Sequence, residues 1–151
     1  MRYLAVDLGD ARTGLALGDD QTRIVSPVGV VEIARDAAGG QALLDALVKA
    51  TDDALGPPGR RRDVALLVGL PLNMDGTEGP RAALTRAFAA RLAERTALPV
   101  HFHDERLSSA EADWRMARSG LTRGQKKARR DALAACAILS DFLGVPPPEE
   151  A

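Results

Sequence analysis

Three acidic residues stand where acids are expensive to keep. Asp7 closes the apolar run Tyr3-Leu4-Ala5-Val6. Asp131 shares one helical face with Ala135, Ile138 and Phe142, spaced i, i+4, i+7 and i+11, and the other members of that face are apolar. The pair Asp104-Glu105 follows the strand-like stretch Pro99-Val100-His101-Phe102-His103, and strand ends in α/β sheets are where ligands bind. Adjacent residues of an extended chain alternate faces, so one of those two acids at most fully faces a given site. A buried carboxylate needs a cation, and magnesium and manganese prefer carboxylate oxygens and water. Two such ions about 4 Å apart stabilise both the attacking and the leaving oxygen in phosphodiester cleavage. A strand acid, a strand-end acid and a helix acid can surround such a pair. Read singly, each has a structural alternative: Asp7 bonding the following turn, Glu105 in a charged loop beside Arg106, Asp131 paired with an arginine.

A phosphate-binding surface accompanies the acids. From Trp114 to Arg130 no residue is acidic, and seven are basic, among them Lys126 and Lys127. Cations at a helix start oppose its dipole, which favours nucleic-acid backbone over an idle solvated face as the reason for them. Gly9 and Gly14 permit tight turning and close approach of a ligand around Arg12 and Thr13. Asn73, Asp75 and Gly76 suit contact with substrate, although the same residue types also hold turns for purely local reasons. His101 and His103 fall on one strand face and read as packing or surface residues. No Walker A sequence and no nucleophile elbow is present.

The elements that must position these residues follow from periodicity. Tyr3–Asp7 and Leu15–Gly18 flank a Gly/Asp turn and predict a β-hairpin. Ile24–Ile33 predicts a third strand, irregular or at an edge because of Pro27. Helical spacing predicts a helix over Asp36–Thr51. Asp63–Gly69 is apolar on both faces, as central parallel strands are. A second helix spans Glu78–Thr96, and a short strand covers Pro99–His103. Ser108 or Ser109 caps a further helix that ends at Ser119-Gly120. The last helix covers about Lys126–Leu143. The order predicts an α/β mixed sheet, an antiparallel hairpin plus parallel strands, flanked by helices.

With 151 residues the chain predicts a single domain over 1–145 and a Pro/Glu-rich tail over 146–151. The net charge of −1 announces no nucleic-acid binder, so the distribution of charge carries that argument. Cys136 is the only cysteine, which excludes an intramolecular disulfide and a cysteine-based zinc site, and it reads as a small core residue. Asp7 interrupts the N-terminal apolar run too early for a signal peptide, and no apolar stretch approaches a membrane span. The expected compartment is the cytoplasm, with no membrane partner.

Four segments together resemble a family of bacterial ribonuclease H-like proteins, described both as Holliday junction resolvases and as nucleases for the small-subunit (16S) ribosomal RNA precursor. They are Ala5-Val6-Asp7-Leu8-Gly9 with Arg12-Thr13-Gly14, then Val68-Gly69-Leu70-Pro71-Leu72-Asn73-Met74-Asp75-Gly76-Thr77-Glu78, then Asp104-Glu105-Arg106-Leu107-Ser108, and Asp131-Ala132-Leu133-Ala134-Ala135 through Ile138-Leu139. The second is highly specific, and the four span nearly the whole chain. The resemblance implies a ribonuclease H-like fold and a nuclease that uses Mg2+ or Mn2+, as two ions. It implies metal-binding and catalytic roles for Asp7, Glu105 and Asp131, with Asp104 as an additional ligand. Substrate contacts are expected from Gly9, Arg12, Thr13, Asn73, Asp75, Gly76, Arg106, Ser108, Lys126 and Lys127. Asp10 departs from the small or basic residues the family commonly has there, which would weaken phosphate approach. The partner is nucleic acid, as precursor RNA, branched DNA or both, and a symmetric homodimer would suit two cuts on a junction. Two other functions compete: a nucleic-acid-binding scaffold without turnover, against which all three acids argue, and an actin-like phosphotransferase, which needs two related domains where this length predicts one.

Overall fold

The computed structural model describes residues 1–105 and 123–146, and for 123–131 the backbone alone. Five strands form one sheet: β1 (Arg2–Leu8), β2 (Thr13–Asp19), β3 (Val25–Val31), β4 (Val64–Leu70) and β5 (Val100–Asp104). Their order is β3-β2-β1-β4-β5. β1 pairs antiparallel with β2 and parallel with β4, and β5 continues the parallel half. Among the described residues three α-helices accompany them: α1 (Gln41–Leu55), α2 (Pro80–Thr96) and α3 (Arg123–Leu143). The helix expected after Ser108 and the tail beyond Pro146 lie outside the described residues.

The period of two along each strand divides the core in two. Leu4, Val6 and Leu8 of β1 and Leu66 and Val68 of β4 face α1 and α2, where they meet Leu43, Leu47, Phe88 and Leu92. Tyr3 and Ala5 with Ala65 and Leu67 face the other way, onto Ala135, Cys136, Ile138 and Leu139 of α3. β4 is buried at every position, as its unbroken apolar run requires. Phe142 packs edge-on against Tyr3, at the start of β1. Ile138, one turn earlier, reaches Gly69 near the end of β4. The helix therefore runs opposite to β1 and β4, and its N-terminal half points toward the sheet edge where those strands end.

Two of the helix starts show where boundaries depart from the periodicity and why. The helix expected from Asp36 begins at Gln41, because Ala38, Gly39 and Gly40 take left-handed conformations that break an α-helix. The helix expected from Glu78 begins at Pro80, whose fixed φ and missing N–H suit a first helical position.

Candidate active site

The carboxyl ends of β1, β4 and β5 lie along one edge of the sheet, because the three are parallel. Asp7 alternates with Ala5 and so falls on the α3 face of β1. Across the hairpin its partner is Gly14. On the other side, the register of Val6 with Val68 continues to Gly69. Glycines thus flank Asp7 on both sides, so neither neighbouring strand sets a side chain beside it. Glu105 follows β5 directly, and its N–H donates to the Leu70 carbonyl at 3.4 Å. Its side chain folds over Gly69: a methyl there would lie 2.8 Å from Glu105 Oε2 and 2.7 Å from Ile138 Cδ1. Glu105 therefore sits on the same face as Asp7, above the residue beside it.

The third acid is set by α3. Position 131 lies four residues before Ala135 and seven before Ile138, on the helix stretch that leads toward this edge. Its side chain lies outside the described residues, as do the side chains of Lys126 and Lys127 and the whole of Arg106 and Ser108. Among the described residues no group of three His, Cys, Asp or Glu side chains could hold a metal. The pair Asp7–Glu105 is hard oxygen chemistry over a floor without side chains, which fits a hard divalent cation.

Two expected residues are not brought to this pair. Asp104 alternates with Glu105, pairs with Leu70 and shares the face of Phe102, toward α2. The strand pleat thus turns it to the face opposite Glu105. Thr13 is fully buried on the face of Leu15, toward α1 and α2, so its hydroxyl lies in the core.

The hairpin turn is built for closeness. Gly9 N–H donates to the Arg12 carbonyl at 2.9 Å, and a Cβ on Gly9 would sit 2.4 Å from that oxygen. Arg12 lies 3.7 Å from Glu32, and Asp10 is paired with Arg35 at 3.1 Å. The charge of Asp10 is thus partly answered by an arginine of this chain.

The segment after β4 forms a second structured turn at the same edge. Gly76 N–H donates to the Asn73 carbonyl, and Asn73 N–H to the Thr77 carbonyl. Asn73 Nδ2 donates to Thr77 Oγ1, and both the N–H and the hydroxyl of Thr77 donate to Asp75 Oδ1. Gly76 takes a φ of 86°, which only glycine adopts without strain. These residues are exposed, and the polar atoms just named hold the turn itself. Glu78 then accepts two bonds from Arg86 of α2, which hold its carboxyl below the usual glutamate range. Met74, at the tip, is 97% exposed. Sequence reasoning passed over it in favour of its polar neighbours. The available signal was an apolar residue inside a run of turn formers.

On β5, His103 lies 2.5 Å from Asp141 of α3, and His101 and His103 both pack against Phe142. The two histidines tie the edge strand to the last helix.

A five-stranded mixed sheet with this order and helices on both faces is the ribonuclease H-like fold. The same fold appears in a solved structure of RuvC from Thermus thermophilus, with a TM-score of 0.50, covering 99% of this chain and 100% of that one at 15% identity. The chain belongs to the RuvX family, whose model, described as "RuvX: Holliday junction resolvase", matches residues 1–144. A relative from Anaeromyxobacter sp. (strain Fw109-5) is 42% identical over 95% of this chain and 96% of its own length. One from Rhizobium etli (strain CIAT 652) is 36% identical over 91% of this chain and 77% of its own. Both carry the name "Putative pre-16S rRNA nuclease". No helix among the described residues is long and apolar enough to cross a membrane.

Proposed function

We propose that this chain is a metal-dependent nuclease that hydrolyses phosphodiester bonds of nucleic acid, with the 16S ribosomal RNA precursor, at its 5′ end, as substrate. The observation that carries the reading is the placement of Asp7 and Glu105 on one face of one sheet edge, over Gly69. Relatives at 36–42% identity named for pre-16S RNA support the choice of substrate. Asp7, Glu105 and Asp131 would hold Mg2+ or Mn2+. When bound, a pair of such ions supplies charge stabilisation for the attacking and leaving oxygens. The chain's own part is to keep two or three carboxylates ionised and close, and to hold the nucleic-acid backbone with the basic run that ends at Arg130. Gly9, Arg12, Asn73, Asp75, Gly76, Arg106, Ser108, Lys126 and Lys127 are the proposed substrate contacts. A cytoplasmic location follows from this substrate.

The family description supports a second reading, resolution of four-way DNA junctions. Paired cuts would then require two copies of the chain related by a two-fold axis. One cleavage panel tests both: structured RNA, single-stranded RNA and four-way DNA junctions, each with magnesium, manganese or chelator. Cutting of RNA that stops with chelator is expected. Full-rate cleavage in chelator by pure protein would overturn the metal-dependent reading, and cutting confined to junctions would select the second substrate.

A further inference from the structure

We infer that Met74 is a wedge that inserts between stacked bases of the bound nucleic acid, beside the carboxylates. The inference rests on the nuclease reading and adds to it how substrate is deformed and selected. Met74 is 97% exposed, the most exposed large apolar side chain among the described residues. Singly exposed apolar residues are common and usually mean nothing. Here three features set the residue apart.

The first is its place. The turn leaves β4 at Leu70, next to Glu105, whose N–H bonds the Leu70 carbonyl. Four residues of chain span at most about 14 Å, so the tip stays within that reach of the strand end. Asp7 and Glu105 share this edge.

The second is rigidity. Asn73 to Gly76 is a hydrogen-bonded turn with Met74 in its second position. Asn73, Asp75 and Thr77 spend polar atoms on one another. Leu72 and Glu78 form a bridge across the base of the loop, and Glu78 is clamped to Arg86 of α2. Gly79 leaves the space that the Asn73 side chain fills, since a Cβ there would be 3.0 Å from Asn73 Oδ1. A side chain presented on such a frame has its backbone ordered before any ligand arrives, so the ordering cost that remains is that of the side chain.

The third is chemistry. The second position of a common β-turn accepts most residue types, so a polar side chain would have served the turn equally well. Methionine is flexible, polarizable and favourable against aromatic rings. Apolar side chains of this kind are those that proteins push between base steps, unstacking and kinking the strand.

The test scans single 2-aminopurine substitutions, which brighten when unstacked, through an RNA hairpin and a four-way DNA junction. Emission is read with Asp7→Asn protein, so that the probe stays intact, and cleavage is read with Asp7 in place. Brightening at one or two positions is expected with Met74 and with Met74→Leu, and its loss with Met74→Ala. Met74→Ala should lower kcat/KM roughly tenfold or more. Its melting temperature and the salt slope of binding should stay unchanged, because the side chain lies outside the core and carries no charge. Met74→Leu should restore cleavage. Undiminished brightening or undiminished cleavage with Met74→Ala would overturn the wedge. Cleavage by unaltered protein without brightening at any position would overturn the wedge and leave the nuclease reading standing. Failure of the unaltered protein to cut any substrate would overturn both.

Discussion

Gly69 has a hydrogen where a methyl group would press on Glu105 Oε2 at 2.8 Å and on Ile138 Cδ1 at 2.7 Å. Both atoms are far ends of flexible side chains, so the fold can absorb the intrusion by moving them. Gly69→Ala is therefore expected to cost no more than the low end of the about 1–3 kcal/mol typical of overpacking. The site cannot absorb it as easily, because the atom that moves is a carboxylate oxygen proposed to bind metal. Cleavage should fall about 10- to 100-fold while the melting temperature changes little, the range typical when a ligand loses its support. A proportional loss of both would make Gly69 a packing residue only. Individual residues were legible to different depths. Asp7 was legible as a candidate, a charge inside an apolar strand, with a turn-bonding role as its alternative. The residues alone did not divide Asp104 from Glu105, because their faces depend on where β5 stops; only the family resemblance put Glu105 first, with Asp104 as an additional ligand. The orientation of Thr13 was not legible for a related reason: its place in the β2 pleat sends it into the core.

Among the elements, strands with clear alternation or unbroken apolarity were read correctly, and ends governed by backbone conformation were read less well. β4 was legible as a central strand because no polar residue interrupts Val64–Leu70. The start of α1 was not, since apolar spacing runs through Ala37 and Ala38 while the left-handed turn at Ala38–Gly40 delays the helix. The run Arg60-Arg61-Arg62 offered no signal that its members differ. Arg61 alone is buried, with a side chain 3% exposed. It donates to the carbonyls of Gly56 at 2.8 Å and Thr96 at 3.1 Å, and it pairs with Asp52. One guanidinium thus joins the C-terminal ends of α1 and α2 just before β4 begins. Arg61→Ala should destabilise the fold by about 2–4 kcal/mol, from carbonyls left without donors. Arg61→Lys should recover only part of it, because an ammonium cannot reproduce the planar fork. The residue lies at the opposite end of β4 from the carboxylates, so activity per folded molecule should not change. Denaturant melts of both variants, with cleavage normalised to folded protein, check this.

The whole molecule divides its work between the two faces of one sheet. α1 and α2 seal one face with leucines and Phe88, and no proposed catalytic carboxylate faces that side. The other face receives only α3 among the described helices, so its open end can hold Asp7 and Glu105 while the helix brings position 131 toward them. Charge is divided in the same way. The sum over the chain is −1, yet seven basic residues with no acid among them precede Asp131. A protein with a net charge of −1 is not drawn to nucleic acid at long range, so affinity must come from that local run and should be strongly salt-dependent. Lys126 and Lys127 lie in the first turns of α3, where cations oppose the helix dipole and phosphate would offset the cost. Replacing both with alanine should weaken binding to every sequence alike. It should also lower the slope of log affinity against log salt by about 0.7–0.9 for each phosphate that the variant no longer neutralises. Measuring binding to one RNA hairpin from low to moderate salt gives that slope directly. An unchanged slope with unchanged affinity would make the two lysines solvated surface, and the backbone grip would then have to come from the arginines of the same run.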